Sequence, residues 1–308
     1  MKSMTKNEEN TGRRLRFALF GNVYQHEKSA AIRQVLASLR SHDADIVIEE
    51  EYCDFLSCSE LIATDGMATF RGGDFESDFA ISMGGDGTLL RTASLVGSKQ
   101  IPILGVNMGR LGFLADVSAA DVEPTISALY KGDYTTESRA LICVESSSGW
   151  PLENGDGLHC ALNDVAILKR DTASMISIRA TIDDEYLGTY QADGLVVSTP
   201  TGSTAYSLSN GGPIIVPGTG VMLLTAVAPH SLNVRPIVIP DTSVVKLTVS
   251  SRTHTFLVAI DGRSLKMPEG TTLCLSRAPY NIQLVKRRGI RYFATLREKM
   301  MWGVDGRK

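Results

Sequence analysis

The stretch Phe79 to Leu90, FAISMGGDGTLL, leaves the surrounding chain little choice of fold. Phe79 to Met83 is a short apolar run, the pattern of a strand buried on both faces of a parallel sheet. Gly84, Gly85 and Gly87 follow, and glycine lets backbone approach a ligand closely. Thr88 is in position to cap a helix opening at Leu89. Free N–H groups and a partial positive charge at a helix start suit a phosphate. Into this turn the chain sets a carboxylate, Asp86. The helix dipole favours that charge and a bound phosphate opposes it. Such a carboxylate serves as a general base or as a ligand for Mg2+, unless GGDG is simply a tight turn.

The flanking sequence repeats the strand-then-helix rhythm. Arg16 to Phe20 reads as a strand, Ser29 to Leu39 as a helix, Ile46 to Ile48 as a strand, and Glu60 to Ala63 as the start of another helix. Thr64 to Asp74 reads as a loop and Pro102 to Asn107 as a further strand. Asp121 is placed to cap a helix through Leu129, with Pro124 in its first turn. This alternation predicts an α/β N-terminal domain with a mostly parallel sheet over 14–134. After Asp133 the pattern changes to short strands joined by turns: Leu141–Glu145, Val165–Leu168, Ile176–Ile182, Leu195–Ser198, Val244–Val249, Phe256–Ile260, Thr272–Leu275 and Ile282–Val285. That predicts an all-β, sandwich-like C-terminal domain over 135–289. A last helix within 290–308 is expected to pack back on the first domain.

Composition narrows the function class. The chain has 308 residues, 43% of them hydrophobic and 21% charged, with a net charge of −3. The acidic balance disfavours nucleic acid and anionic membranes as partners. The longest apolar runs, such as Val221 to Ala228, are strand-sized, so no membrane span is expected. The N-terminus lacks a hydrophobic signal region, and residues 1–13 read as a tail. Cys53, Cys58, Cys143, Cys160 and Cys274 are scattered and mostly sit in apolar patterns, so reduced core thiols in a cytoplasmic protein are expected. Neither a Walker loop nor a Rossmann glycine fingerprint nor a G-x-S-x-G elbow is present.

Four further stretches carry polar groups suited to a ligand. Asn107-Met-Gly-Arg-Leu-Gly-Phe-Leu114 follows a strand, where ligand crevices of open α/β sheets lie. Asn163-Asp164 pairs an amide with a carboxylate, a set that grips a diol and also makes turns. Asp193 to Pro213, DGLVVSTPTGSTAYSLSNGGP, runs from a strand into hydroxyls and glycines around Tyr206, whose ring suits a flat base. Ile260-Asp-Gly-Arg263 reads as a hairpin turn. His230 reads as a structural histidine.

In this order, GGDGTLL (84–90), NMGRLGFL (107–114), LNDVAI (162–167), DGLVVSTPTGSTAYSLSNGGP (193–213), APHSLNVRP (228–236) and IDGR (260–263) resemble the NAD kinases, over roughly residues 15–300. Close relatives of GGDGT also occur in lipid kinases and phosphofructokinases. The hydroxyl-rich stretch with the Asn-Asp pair is more specific. The resemblance implies ATP-dependent phosphorylation of the 2′-hydroxyl of the adenosine ribose of NAD. It further implies NAD between two domains, Mg2+ or another divalent cation, and a homodimer or homotetramer. By motif position it implies Asp86 as the proton acceptor. For NAD it implies Asp86, Gly87, Asn163, Asp164, Ser174, Gln191, Asp193, Thr204, Ala205, Tyr206, Ser207, Leu208, Ser209 and Arg263. For phosphate it implies Gly84, Gly85, Gly87, Thr88 and Arg91. It assigns no metal ligand. Asp164 stands where the family often has glutamate, Gln191 where a basic or small residue is common, and Arg263 where a neutral amide is common. A lipid or sugar kinase, or a catalytically silent dinucleotide sensor, are the rival readings.

Overall fold

In the computed structural model, residues 13–22, 29–58, 67–109, 112–149, 159–170, 174–286 and 292–303 are described. The chain divides into two compact units, Met1–Ser138 with Ile282–Lys308, and Arg139–Asn281.

The first unit opens with β1 (Arg16–Gly21), α1 (Ser29–Ser41), β2 (Asp45–Glu49), α2 (Glu50–Cys58) and β3 (Ala68–Phe70). It continues through β4 (Phe79–Gly84), α3 (Asp86–Val96), β5 (Ile103–Asn107), β6 (Val117–Ser118) and α4 (Val122–Tyr130). Strands β5, β4, β1, β2 and β3 lie side by side in that order, all parallel. β4 and β5 are buried along their whole length, as expected of central strands covered on both faces. Phe17, Leu19, Phe79, Ile81, Leu104 and Val106 join Val35, Leu36 and Leu39 of α1 and Ile126 and Leu129 of α4 in one core.

β7 (Thr135–Ser146) leads into the second unit, with β8 (His159–Ala161), β9 (Asp164–Lys169), β10 (Ile176–Ile182), β11 (Glu185–Ala192) and β12 (Gly194–Ser198). The short helix α5 (Tyr206–Ser209) precedes β13 (Val221–Val227), β14 (Ile237–Pro240), β15 (Val245–Ser251), β16 (Thr255–Ile260), β17 (Arg263–Pro268) and β18 (Thr272–Lys286). One antiparallel sheet runs β14-β13-β12-β9-β16-β17. β10 pairs antiparallel with β11 and β15, and β15 with β18. Alternate residues of both groups of strands, including Val165, Val197, Leu224 and Val258 on one side and Ile178, Leu247 and Leu273 on the other, form a single core. This is the sandwich that the strand pattern predicts. β12 is buried throughout because Val196, with Ala166 and Ala259, packs in a second small cluster on the other face.

The chain re-enters the first unit at Ile282, within β18, where Leu284 pairs in parallel with Ile103. It ends in α6 (Tyr292–Met300).

Several expectations need correction. The two strands foreseen at 272–275 and 282–285 are one strand running through Pro279. Part of the loop expected over 64–74 is β3. The helix expected from Glu60 lies outside the described residues, and α2, just before it, is an additional helix. Helix α3 begins at Asp86, not Leu89, so Thr88 lies inside its first turn and caps nothing. Asp121 stands at the cap of α4, but its side chain makes no capping bond and accepts one from the Ser118 hydroxyl at 2.7 Å. Cys143 and Cys160 face each other across β7 and β8 and form a disulfide, with Cα atoms 4.0 Å apart, so these two are not reduced thiols. Strand register brings them together, which spacing along the chain cannot show. Among the described residues no helix is long and apolar enough to cross a membrane.

Candidate active site

β4 and β5 end side by side, with Gly84 opposite Asn107, so their following turns share the carboxyl edge of the sheet. The Met108 N–H donates to the Gly84 carbonyl at 3.2 Å. Gly85 is the first flanking residue of α3, and its carbonyl accepts the N–H groups of Thr88 and Leu89 at 3.1 and 3.2 Å. A Cβ on Gly84 would collide with the Thr88 side chain, and Gly87 is exposed. Gly84 is thus required by packing against Thr88, while a Cβ on Gly85 or Gly87 would meet open space.

Asp86 is bound by the neighbouring turn. Its Oδ2 accepts the Phe113 N–H at 2.8 Å, and its Oδ1 accepts those of Leu114 and Ala115 at 3.0 and 3.1 Å. A Cβ on Gly112 would strike this carboxylate, so the 107–115 turn closes on Asp86 only with glycine at that position. Asn107 steadies the same turn by donating to the Ala115 carbonyl at 3.2 Å and accepting from the Gly109 N–H at 2.6 Å. A carboxylate has about four lone-pair sites, so these three N–H donors fix its orientation and leave one site, on Oδ2, that they do not fill. Arg110 and Leu111, in the middle of the turn, lie outside the described residues.

Arg91, one turn into α3, is paired with carboxylates. Its guanidinium makes a bidentate pair with the buried Glu49 at 2.5 and 2.6 Å and reaches Glu51 at 3.0 Å. Glu49 comes from the end of β2, and nothing in the local sequence around Arg91 signals it.

In the second unit, Asn163 and Asp164 stand at the start of β9. The Asp261 carboxylate receives three backbone N–H bonds, from Leu162 and Asn163 at 2.8 Å and from Asp164 at 3.1 Å. Positive φ at Asp261 (47°) and Gly262 (80°) makes the expected tight turn, and that turn aims the carboxylate at the 162–164 backbone. Burial, reinforced by the Asp261 charge, pushes the Asp164 carboxyl up to about 7 from an ordinary 3.8. Burial also raises Asp261, against the pull of its three N–H donors and of Arg263.

The hydroxyl-rich turn rests on the same segment. The Thr199 N–H donates to the Asn163 carbonyl at 2.9 Å and the Thr199 hydroxyl to the Leu162 carbonyl at 2.6 Å. A Cβ on Gly202 would run into the Asn163 backbone. Ser203 is fully buried, donating to the Pro200 carbonyl at 2.7 Å and accepting from the Ile215 N–H at 2.9 Å. Ser207 is buried too, its hydroxyl bonded to that of Thr225 at 2.9 Å. Thr204, Ala205 and Leu208 are half-buried, while Tyr206 and Ser209 are exposed. Asp193 pairs with Lys169 at 2.7 Å, and the Gln191 amide donates to the Ser177 hydroxyl at 3.0 Å. Ser174 is half-buried ahead of β10. Arg263 opens β17, and its charge reaches His159, whose imidazole is held below its ordinary value chiefly by burial. The second unit thus brings Asn163, Asp164 and the 199–209 turn together through backbone contacts. His230 is exposed and hydrogen-bonds through its backbone N–H to the Gln191 carbonyl at 2.8 Å.

The N-terminal half, 22–134, matches the model of the ATP-NAD kinase N-terminal domain, and 162–287 matches that of the ATP-NAD kinase C-terminal domain. A NAD kinase from Bacteroides fragilis is 51% identical over 296 residues, covering 95% of this chain and all of that protein. One from Porphyromonas gingivalis is 43% identical over 288 residues, covering 94% of this chain and 98% of the relative. Among solved structures, yeast NADH kinase complexed with NADH superposes with a TM-score of 0.86 at 20% identity, covering 96% of this chain and 90% of the yeast chain. A NAD kinase from Archaeoglobus fulgidus in complex with ATP gives 0.71 at 24% identity, covering 93% and 99%. These two show the shared fold.

Sequence match and fold together define a phosphotransferase of the kinase class. The chain belongs to the NAD kinase family.

Proposed function

We propose that the chain moves the terminal phosphoryl group of ATP onto the 2′-hydroxyl of the adenosine ribose of NAD, giving NADP and ADP, with Asp86 as the general base. The observation that carries this reading is the Asp86 carboxylate, oriented by three backbone N–H groups with one lone-pair site left on Oδ2. A secondary alcohol is a weak nucleophile at neutral pH. As the ribose oxygen bonds to the terminal phosphorus and the bond to the ADP oxygen breaks, the hydroxyl proton passes to Asp86 Oδ2. Open N–H groups at the start of α3 suit phosphate charge, so Gly84, Gly85 and Gly87 are the backbone on which ATP rests, with Thr88 beside them offering its hydroxyl, since its N–H donates to the Gly85 carbonyl.

For NAD we assign Asp86, Gly87, Asn163, Asp164, Ser174, Gln191, Asp193, Thr204 to Ser209 and Arg263. With its carboxyl near 7, Asp164 is partly protonated at neutral pH, and so both donates to and accepts from a ribose diol. Arg91 is assigned to phosphate as well, through N–H donors that its pairs with Glu49 and Glu51 leave over. Among the described residues no group of three or more His, Cys, Asp or Glu builds a cation cage. Mg2+ commonly needs only one or two carboxylates beside substrate phosphates, so a divalent cation bound with ATP would neutralise phosphate charge without a protein cage. Assembly as a homodimer or homotetramer follows from the family resemblance; the cytoplasmic reading rests on the cysteines, of which Cys53, Cys58 and Cys274 are free and Cys143 and Cys160 are not.

The test is to incubate the purified full chain with NAD, ATP and Mg2+ and assay NADP, with 31P NMR to assign the 2′-phosphate. NADP formation is expected. No NADP, with NAD still binding in calorimetry, would favour a dinucleotide sensor and overturn the proposal.

A further inference from the structure

The C-terminal helix α6 carries a cation that the first unit leaves unused. Lys299 Nζ has no surface open to solvent and no hydrogen-bond partner among the described residues. It lies over the Phe113 ring, 4.8 Å from the centroid, and Phe113 is the residue whose N–H holds Asp86 Oδ2. Against the charge of Lys286, three carboxylates act on it electrostatically: its α6 neighbour Glu298 and, from outside the helix, the pair Asp86 and Asp116. Neither is bonded to it: Asp86 is taken by three backbone N–H groups, and Asp116 is paired with Lys286 at 2.5 Å. Burial holds the Lys299 ammonium below its ordinary value, and the carboxylates only partly offset this.

Covering an ammonium without an acceptor is costly, and lysine seldom stays so without a partner. A ring face offsets part of that cost and provides no oxygen. Lys299 thus touches the turn that closes on Asp86 and feels the charge of Asp86 itself, the first residue of α3, a helix start whose backbone suits phosphate. We propose that Lys299 is a substrate-contacting residue, whose ammonium donates to a phosphate oxygen of the bound nucleotide beside Asp86. The oxygen belongs to the ATP chain or to the NAD pyrophosphate. The proposal rests on Asp86 marking the reaction centre.

The experiment compares wild type, Lys299→Met and Lys299→Arg as full chains, by steady-state kinetics with each substrate varied and by thermal melts. Methionine keeps the length and the packing on Phe113 and removes an unpaired buried charge, so the melting temperature should hold or rise. Loss of one charge-assisted bond to phosphate should raise one KM about 10–100-fold. A rise in the KM for ATP assigns the oxygen to ATP, and a rise in the KM for NAD assigns it to the pyrophosphate. Arginine should recover part of the loss. Unchanged KM and kcat in Lys299→Met would overturn the proposal. So would a loss of activity tracking a lowered melting temperature, since that is a packing role. A wild type that makes no NADP would instead fail the functional reading, and calorimetry of ATP and NAD with both variants would then test Lys299 by binding alone.

Discussion

Replacing Asp164 with asparagine should change how stability depends on pH. Asp164 is 7% exposed, and its carboxyl titrates near 7 in the folded protein against 3.8 when unfolded. Between these values the folded state keeps a proton that the unfolded state releases. Stability therefore falls as pH rises through this window and levels off above the folded value. At about 1.4 kcal/mol per unit, the group costs the wild type roughly 2–3 kcal/mol between pH 5 and pH 8. Asparagine has no such proton. Urea unfolding of both proteins near pH 5 and near pH 8 reads the effect as a difference of differences, which includes whatever the loss of the Asp164 charge does to its coupled neighbour Asp261. The wild type should lose about 2–3 kcal/mol more than the variant over that range. Parallel pH dependence, within about 0.5 kcal/mol given extrapolation error, would refute the reasoning that burial and Asp261 hold the Asp164 proton.

Gly112→Ala sets a Cβ against the Asp86 carboxylate and should lower kcat about 10–100-fold, with the far-UV spectrum retained, read by kinetics and circular dichroism. Asp261→Ala strips three backbone N–H groups of their acceptor and should destabilise by about 2–4 kcal/mol in urea unfolding while raising the KM for NAD. Glu49→Ala leaves Arg91 with only Glu51 and should cost about 1–3 kcal/mol, less than a fully buried pair because Arg91 is 40% exposed in its side chain. Alkylation of denatured, unreduced protein should label Cys53, Cys58 and Cys274 alone, with Cys143 and Cys160 reacting only after reduction, as mass spectrometry will show.

The fold was largely legible because its signals are local. The uninterrupted apolar run of β4 and the alternation along β10 and β15 each report their own surroundings. Helix α2 also leaves a local signal: Tyr52, Cys53 and Leu56 mark one face, and Glu50 and Glu51 open it. β18 was broken at Pro279, although a strand tolerates proline where the ladder does not need its N–H. Of the site, the motif marked Asp86 but not what holds it, since the Phe113–Ala115 amides lie 27 to 29 residues further on. IDGR was rightly read as a turn, yet the contact of Asp261 with 162–164 spans nearly a hundred residues and leaves no local trace. Arg91 was expected at phosphate because its position in the helix is visible, whereas its partner Glu49, 42 residues earlier, is not. Lys299 sits in an ordinary amphipathic tail, and only burial of its Nζ distinguishes it.

The most direct measurement of the central claim is the turnover of NAD to NADP by Asp86→Asn beside the wild type, with NAD affinity measured on both. Asparagine keeps the shape but offers one oxygen, which accepts less well and takes no proton. The account predicts NAD binding within a few-fold of wild type and a kcat lower by about 10²–10⁴. Near-wild-type turnover in Asp86→Asn would contradict it and move the base elsewhere.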